Sequence, residues 1–283
     1  MAKVLVTDTL ASQGLDVLRA SRDLEVVEGE PADVAELIRD VEGLVIRSGT
    51  KVTADVLAGA EKLRVIGRAG IGVDNVDVAA ATERGIVVVN TPEGNNVTTA
   101  EHAIALLVSL ARHIPQATAS MKSGKWEKKK FQGLELYNRT LGVAGIANIG
   151  RIVAQRGKGL GMKVIAYDPF VSVEAAARFD IELVDLDELF ARADAISVHV
   201  PRTKDTTGLL GRAAFAKCKP GVLIINAARG GIVDEEALLE ALESGQVAGA
   251  ALDVFVDEPP DACLLYTSPS PRDLSTSRMP SSA

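Results

Sequence analysis

A strand–turn–helix pattern in residues 140–153 places glycines where a phosphate group can approach the backbone. An apolar run leads into GIANIG, with Gly145 and Gly150 at its ends, and a helical pattern follows. This spacing is typical of the first turn of a dinucleotide-binding fold, in which free N–H groups at the helix N-terminus bind a pyrophosphate. Ala147 stands where the middle glycine of that motif is expected, and we expect its Cβ to weaken cofactor binding. A tight strand–helix turn without a ligand is the alternative interpretation of the glycines alone.

An acidic residue at the end of the next apolar run favours the cofactor interpretation. Asp168 ends the run KVIAYD, eighteen residues after Gly150. A carboxylate in this position accepts hydrogen bonds from ribose hydroxyls and repels a 2′-phosphate, which favours NAD over NADP. The order of strand, turn, helix, strand and terminal aspartate therefore predicts an NAD site.

Two further segments place charged side chains directly after apolar runs. Arg229 follows the run at 222–227, and its guanidinium can hold a substrate carboxylate through two hydrogen bonds and polarise the adjacent carbonyl. Asp253 and Glu258 belong to ALDVFVDEPP, at the end of the last predicted strand. A carboxylate such as Glu258 can orient a histidine and raise its pKa for general acid–base catalysis. A surface arginine and a plain acidic loop residue are the alternative interpretations.

Ten short apolar runs, separated by helical patterns, must position these residues. The runs show little alternation, which is typical of parallel strands buried on both faces of a sheet. Helical patterns such as Ala32–Asp40, Ala54–Ala60 and Glu235–Glu243 lie between them, so the sequence predicts an α/β fold with parallel sheets. The predicted strands are Lys3–Asp8, Leu24–Val27, Gly43–Ser48, Arg64–Ala69, Gly85–Asn90, Thr140–Ile146, Lys163–Asp168, Ala195–Val200, Val222–Ala227 and Gly249–Phe255.

Three segments interrupt this alternation. Thr98–Ala119 lacks a strand signal and predicts one helix of about five or six turns between two α/β blocks. The basic segment Ser120–Phe131 follows it and is either a solvated face or an anion site. Residues 263–283 change abruptly to a composition with six Ser, two Thr and three Pro. We expect this tail to be either disordered or foreign to the fold, and we favour the second.

Composition excludes several classes of protein. A chain of 283 residues corresponds to about two domains, and its net charge of −7 without a dense basic face argues against nucleic-acid binding. The longest apolar stretch, 103–111, is well short of the roughly 18 residues that span a bilayer. No signal-peptide pattern is present at the start, and two cysteines, Cys218 and Cys263, cannot form a disulfide framework. We therefore expect a cytoplasmic protein.

The combined motifs resemble those of a known family, the D-isomer-specific 2-hydroxyacid dehydrogenases. The resemblance covers residues 3 to about 261 and implies two doubly wound parallel-sheet domains. These would be a flavodoxin-like substrate-binding domain at 1–97 and a Rossmann NAD-binding domain at 98–262 that is incomplete at its C-terminal end. Residues 263–283 would be a non-native or disordered tail. The segments that carry the resemblance are GRAGIGVDNVD, NTPEGNN, GIANIG, YDPF, NAARGGIVDE and ALDVFVDEPP.

The resemblance also implies a role for individual residues. Arg229 and Glu258 would be catalytic, with Glu258 as the acidic partner of a histidine, and no metal is expected. Positions for the phosphate and carboxylate of the substrate would be Arg47, Arg68, Asn95 and Lys128. The NAD site would contain Ile71, Gly145, Ala147, Asn148, Ile149, Gly150, Asp168, Val200, Ala227, Ala228 and Asp253.

The expected activity is the NAD-dependent oxidation of a small phosphorylated 2-hydroxy acid, 3-phosphoglycerate, in serine biosynthesis. The segments IRSGTKVT and IPQATASMKSGKWEKKKFQGLEL narrow the resemblance to enzymes with this substrate. Another 2-hydroxyacid dehydrogenase, such as a glyoxylate or hydroxypyruvate reductase, and a non-catalytic NAD-sensing module are the alternatives. The resemblance further implies a homodimer or a higher homo-oligomer, with no membrane or nucleic-acid partner.

The chain departs from the family pattern in two places. The family's glycine turn commonly reads GLGRIG, so that Asn148 replaces a basic residue here. The family's catalytic histidine is expected after Glu258 in a Pro-His-x-Gly type segment, near Thr276. The three histidines, at 102, 113 and 199, all precede Glu258, and we expect helix or core roles for them. We therefore expect negligible activity from the 283-residue polypeptide.

Overall fold

Two parallel sheets organise the computed structural model, which describes residues 1–258, residue 260 and the backbone of residues 275–276. The chain divides into a first unit, Met1–Asn95, and a second unit that begins at Asn96. The prediction of a disordered or foreign tail concerns residues 263–283, and apart from 275–276 these lie outside the described residues. The two-sheet α/β fold predicted from the sequence is confirmed.

The sheet of the first unit has five parallel strands. They are β1 (Ala2–Val6), β2 (Leu24–Glu28), β3 (Gly43–Ile46), β4 (Val65–Arg68) and β5 (Val87–Asn90). Their order in the sheet is β2-β1-β3-β4-β5, which is the order of flavodoxin-like folds. The central strands bury Leu5, Leu44 and Ile66 almost completely, which explains why these segments read as continuous apolar runs.

Short helices connect these strands. They are α1 (Ser12–Arg19), α2 (Val34–Leu37), α3 (Ala54–Ala58) and α4 (Val78–Glu83), and single 3₁₀ turns flank α2 at Pro31–Asp33 and Ile38–Asp40. Side-chain oxygens of Thr53 and Asp77 accept backbone N–H groups at the starts of α3 and α4. These caps satisfy donors that have no partner inside the helix.

The sheet of the second unit has seven parallel strands. They are β6 (Thr140–Ala144), β7 (Lys163–Tyr167), β8 (Glu182–Leu183), β9 (Ala195–Val198), β10 (Val222–Asn226), β11 (Val247–Leu252) and β12 (Ser275–Thr276). Their order is β12-β11-β10-β9-β6-β7-β8, so the order reverses between β6 and β9. Ligands of doubly wound sheets bind at the carboxyl edge beside such a reversal.

Helices cover both faces of this second sheet. They are α5 (Asn96–Ala111), α6 (Ile114–Lys122), α7 (Asn148–Gly159), α8 (Val173–Ala177), α9 (Leu186–Arg192), α10 (Arg212–Lys217) and α11 (Glu235–Glu243). Two apolar clusters result, one packed around Leu189 and Ile224 and the other around Leu107 and Ile225. All ten predicted strand segments contain strands, whereas the two-residue strands β8 and β12 were not predicted.

The prediction of one helix over Thr98–Ala119 is wrong, because two helices occupy this segment. The break lies at His113, which has left-handed dihedral angles (φ 51°, ψ 37°). Pro115 is the reason, since its ring would clash with the carbonyl of Ala111 in a continuous helix. That carbonyl instead accepts a hydrogen bond of 2.7 Å from the backbone N–H of Leu134.

Candidate functional site

The turn between β6 and α7 brings three backbone segments close together. Gly145 has φ +91° and donates its N–H to the carbonyl of Tyr167 over 2.8 Å. A Cβ on Gly145 would lie 2.9 Å from the carbonyl carbon of His199 and from the backbone nitrogen of Val200. A Cβ on Gly150 would lie 1.9 Å from the carbonyl oxygen of Gly145. Both glycines are therefore required for α7 to start this close to the sheet.

The first turn of α7 forms the floor of the candidate phosphate site. Ala147 is the N-cap residue, with φ −63° and ψ −156°, and no side chain caps this helix. The N–H groups of the first turn therefore depend on water or a ligand for hydrogen bonds, and they lie at the positive end of the helix dipole. Asn148 is exposed, and its Oδ1 accepts a hydrogen bond of 3.0 Å from Nη2 of Arg151. Ile149 is half-buried against the sheet.

Asp168, which directly follows β7, ties the glycine turn to the neighbouring strand. One carboxylate oxygen accepts the N–H of Ile146 and the other accepts the N–H of Phe170, each over 3.0 Å. Carboxylate oxygens have further lone pairs, so both can still accept ribose hydroxyls. The structure therefore places Asp168 and the glycine turn together, at the same carboxyl edge of the sheet.

His199 and Val200 lie beyond the end of β9, on the other side of the reversal in strand order. The N–H of His199 donates to the carbonyl of Ala144 over 2.7 Å, and its Nε2 lies 2.7 Å from Oγ of the buried Ser197. Burial lowers the pKa of His199 to about 4, because the charged imidazolium is poorly solvated there. The ring is therefore neutral near pH 7, which agrees with the predicted structural role.

The loop after β10 holds Arg229 through a buried amide. Asn226 is 1% exposed; its Oδ1 accepts the N–H of Ala228 over 3.0 Å, and its Nδ2 donates to the carbonyl of Arg229 over 2.9 Å. The guanidinium of Arg229 donates to the carbonyl of Ala228 over 2.7 Å. A Cβ on Gly230 would lie 1.8 Å from the carbonyl oxygen of Phe255, so only glycine fits there. Ala227, the residue that follows β10, is buried.

Asp253 and Glu258 lie in the segment that follows β11. The N–H of Asp253 donates to the carbonyl of Asn226 over 3.0 Å, which joins this segment to the loop of Arg229. Oε1 of the exposed Glu258 accepts the N–H of Phe255 over 3.0 Å. The carboxylate of Glu258 thus stabilises the loop conformation. Oδ1 of Asp253 lies 3.3 Å from Nε2 of His102 in α5.

In the first unit, two predicted arginines lie on adjacent strand ends. Arg68 ends β4, and Arg47 directly follows β3, whose last residue pairs in register with Arg68. The carboxylate of Asp8 accepts the backbone N–H groups of Arg47, Gly49 and Thr50 over 2.7, 2.9 and 3.2 Å. Asp8 therefore fixes the loop that presents Arg47. The two guanidinium groups give this edge a positive character that suits an anionic ligand.

Three further positions were predicted to bind cofactor or substrate: Ile71, Asn95 and Lys128. The carbonyl of Ile71, three residues after Arg68, accepts a hydrogen bond of 2.6 Å from Nδ2 of Asn90. Oδ1 of Asn95 is buried and accepts no hydrogen bond from any described residue. Lys128 is exposed in the loop after α6, and the structure gives it no contact with the glycine turn or with Arg229. Its role therefore stays a prediction.

Asp8 and Asn226, which hold the loops of the candidate site, were not predicted from the sequence. Asp8 and Asn226 are polar residues at or just beyond the end of an apolar strand, a signal that the sequence does contain. His102 was predicted to have only a helix or core role, and its neighbour Asp253 lies far away in the chain. In the part of the chain that the structure describes, no cluster of three or more His, Cys, Asp or Glu side chains could bind a metal. Nor does any described helix have the length and apolar character needed to cross a membrane.

Comparisons with known proteins agree with this geometry. Residues 104–270 match the family model of the D-isomer specific 2-hydroxyacid dehydrogenase, NAD binding domain. The D-3-phosphoglycerate dehydrogenase of Archaeoglobus fulgidus is 55% identical over 262 residues, which are 91% of this chain and 49% of that protein. The TT0316 protein of Thermus thermophilus has a TM-score of 0.88 at 36% identity, over 97% of this chain and 88% of that one. A D-lactate dehydrogenase from Aquifex aeolicus complexed with NAD and lactic acid has a TM-score of 0.82 at 30% identity, over 90% and 78% of the two chains.

The chain therefore belongs to the D-isomer specific 2-hydroxyacid dehydrogenases, a family of NAD-dependent oxidoreductases, and NAD is its cofactor. The chain spans about half the length of the curated relatives it matches. The glycine turn fits this cofactor, because Gly145 and Gly150 let α7 begin close against the sheet and its uncapped N-terminus supplies donors for a pyrophosphate.

Proposed function

We propose that the protein to which this chain belongs oxidises D-3-phosphoglycerate to 3-phosphohydroxypyruvate with NAD, the first step of phosphorylated L-serine biosynthesis. One observation carries the proposal: the glycine turn, Asp168 and Arg229 lie along one carboxyl edge of the second sheet. The relatives at about 55% identity, which are named for this reaction, support the choice of substrate. The positive strand ends at Arg47 and Arg68 support a phosphorylated substrate.

The contacts of the cofactor-binding residues support the roles that we propose for them. NAD supplies the hydride acceptor when it is bound. The N–H groups at the start of α7 bind the pyrophosphate, and Asp168 accepts the ribose hydroxyls and disfavours a 2′-phosphate by charge repulsion. Ile149, Val200, Ala227 and Ala228 provide the walls beside these polar groups. The proposed role of Ile71 in cofactor binding rests on its place in the family motif alone.

Arg229 and Glu258 act on the substrate side of the reaction. The guanidinium of Arg229 binds the substrate carboxylate and stabilises negative charge on the neighbouring C2 oxygen. Asn226 holds the backbone of Arg229, so the orientation of that guanidinium is set before the substrate arrives. Glu258 is the acidic partner of the base that removes the hydroxyl proton. Arg47 and Arg68 bind the substrate phosphate and carboxylate, with Asn95 and Lys128 as further contacts.

We infer that turnover by this 283-residue polypeptide is negligible, because the sequence has no histidine at the position where the family pattern places the base. The three histidines of the sequence all precede Glu258. His199 has a low pKa and is bonded to Ser197, and His113 begins α6 in a left-handed conformation. Neither arrangement supplies a base paired with Glu258. Binding of cofactor and substrate does not depend on that base.

The two units carry separate parts of this function. We propose that residues 1–97 form the substrate-binding domain and that residues 98–262 form the NAD-binding domain. We further propose a cytoplasmic homodimer or higher homo-oligomer, on the strength of the family resemblance alone.

The proposal is tested by thermal-shift titrations of the purified chain with NAD and with 3-phosphoglycerate, alongside an NADH absorbance assay. We expect each ligand to raise the melting temperature and turnover to be close to background. Arg47→Gln should abolish the shift caused by 3-phosphoglycerate and preserve the shift caused by NAD. Arg64→Gln is the matched control, because Arg64 precedes β4 at the opposite edge of the same sheet. A preference for glyoxylate or hydroxypyruvate over 3-phosphoglycerate would contradict the assigned substrate.

A non-catalytic NAD-sensing module is the second candidate, since Ala147 replaces the middle glycine of the cofactor turn. The retained Arg229 and Glu258 favour the enzyme. The two candidates differ in binding of 3-phosphoglycerate, which a sensor of NAD alone does not require.

A further inference from the structure

The side chain of Asn75 joins the loop that carries Arg47 to the loop that follows β4. Asn75 is half-buried between β4 and α4, and its Nδ2 donates two hydrogen bonds of 2.6 Å, to the carbonyl oxygens of Arg47 and Thr50. A side-chain amide nitrogen has two N–H groups, so these two bonds use both of them. The carbonyl of Asn75 in turn accepts the N–H of Val52 over 2.7 Å. The function proposed above gives Asn75 no role.

The backbone of Arg47 is held on both sides of its Cα. Its N–H donates to Oδ2 of Asp8 over 2.7 Å, and its carbonyl accepts the hydrogen bond from Asn75. Thr50 is fully buried and is held by the same two residues, since its N–H donates to Asp8 over 3.2 Å and its carbonyl accepts Asn75. Because both peptide groups beside Arg47 are restrained, the direction in which its side chain leaves the loop is restrained as well.

We propose that Asn75 is a positioning residue for the phosphorylated substrate: it fixes the backbone carbonyl of Arg47, so that the guanidinium meets the phosphate from one direction. The inference rests on the substrate and on the role of Arg47 proposed above. Asp8 alone cannot supply this restraint, because a carboxylate only accepts hydrogen bonds and cannot donate to a carbonyl. Nη1 of Arg47 also donates to the carbonyl of Thr9 over 3.4 Å, so the loop after β1 restrains the side chain while Asn75 restrains the backbone. An arginine that is ordered before its ligand arrives loses less conformational entropy on binding.

The test measures the affinity of 3-phosphoglycerate for the full chain by calorimetric titration. Asn75→Leu is similar in size and removes both donors, and it should weaken 3-phosphoglycerate about tenfold, the usual scale for a misaligned hydrogen bond to a charged group. The affinity for NAD should stay within about twofold of the wild type, because the glycine turn and Asp168 lie in the second unit. Asn75→Ser is a milder change that cannot bridge the two carbonyls, and it should weaken 3-phosphoglycerate at least about threefold.

A double substitution distinguishes positioning from a loss of stability. Arg47→Lys keeps the positive charge on a flexible stem, which depends less on the direction of the backbone. In the Arg47→Lys background, Asn75→Leu should therefore cause a further loss of less than about threefold. Thr53→Ala is the matched control, because Thr53 lies just after this loop and its hydroxyl caps α3 by accepting the N–H of Val56. This control should lower the melting temperature and leave the affinity for 3-phosphoglycerate unchanged.

Wild-type affinity for 3-phosphoglycerate in Asn75→Leu or in Asn75→Ser would overturn the inference. An equal loss in the two Arg47 backgrounds, or an equal loss in Thr53→Ala, would also overturn it, because either result shows a purely structural role. If the wild-type chain does not bind 3-phosphoglycerate, the proposed substrate site fails and the inference fails with it. That result is distinct from wild-type affinity in the Asn75 variants, after which the substrate site would still stand.

Discussion

Gly150 offers the sharpest test of the glycine turn, because the obstruction caused by a single methyl group can be read from the structure. In Gly150→Ala the new Cβ would lie 1.9 Å from the carbonyl oxygen and 2.9 Å from the carbonyl carbon of Gly145. Both obstacles are backbone atoms, so the start of α7 must move by roughly 1 Å or more relative to the turn. The N–H groups that bind the pyrophosphate move with it.

The magnitudes follow from two opposing effects. Overpacking costs about 1–3 kcal/mol, and alanine in place of glycine within a helix recovers up to about 1 kcal/mol. We therefore expect the free energy of unfolding to fall by about 1–2 kcal/mol in Gly150→Ala. NAD affinity should fall at least about tenfold, because hydrogen bonds to a charged group are lost or misaligned.

Gly159→Ala is the matched control, since Gly159 ends the same helix and a Cβ there would meet no atom within 4 Å. We expect it to be neutral or to gain up to about 1 kcal/mol in stability, with NAD affinity unchanged. Urea denaturation gives the stabilities and calorimetric titration gives the affinities. Wild-type NAD affinity in Gly150→Ala would refute the assignment of this turn as the phosphate site.

Three other substitutions test separate parts of the account. Ala147→Gly should raise NAD affinity about two- to fivefold in the same titration, because it removes a Cβ from the phosphate side of the turn. The free energy of unfolding should stay within about 0.5 kcal/mol of the wild type, since glycine is an acceptable N-cap residue. His199 is neutral in the fold with a pKa of about 4, so its contribution of up to about 3 kcal/mol to the free energy of unfolding is complete above pH 6.5 and disappears as the pH falls toward 4. In His199→Gln, urea denaturation should therefore show a free energy of unfolding that depends less on pH. An unchanged dependence on pH would contradict the low pKa. Asn226→Asp should lower the free energy of unfolding by about 2–4 kcal/mol, because a buried carboxylate cannot donate to the carbonyl of Arg229. The control Asn148→Asp changes an exposed amide and should cost little. Equal melting temperatures of the two variants would contradict the buried amide bridge.

The strands were predictable because parallel strands buried on both faces leave continuous apolar runs in the sequence. The strand β8 was missed because two residues, one of them exposed, produce no such run. The break near His113 was also missed, although Pro115 supplies its local signal, because the apolar composition continues on both sides of it. Local sequence patterns thus predict the presence of helices and strands better than they predict the residues at which these begin and end.

The candidate site was predictable where a residue acts through its own position in a motif, as Gly145 and Asp168 do. It was not predictable where a residue acts through a distant partner. Asp8 and Asn75 both hold the loop of Arg47, and no local pattern reports either pairing. Asn226 is intermediate, since a polar residue that ends a buried strand requires hydrogen bonds that only the folded loop can supply.

Calorimetric titration of the chain with NAD and with NADP tests the central claim most directly. The account predicts saturable binding of NAD at one site per chain and binding of NADP at least about tenfold weaker, because the 2′-phosphate meets the carboxylate of Asp168. In Asp168→Asn this preference should shrink. Absence of saturable NAD binding, or equal affinities for the two cofactors in the wild-type chain, would contradict the account.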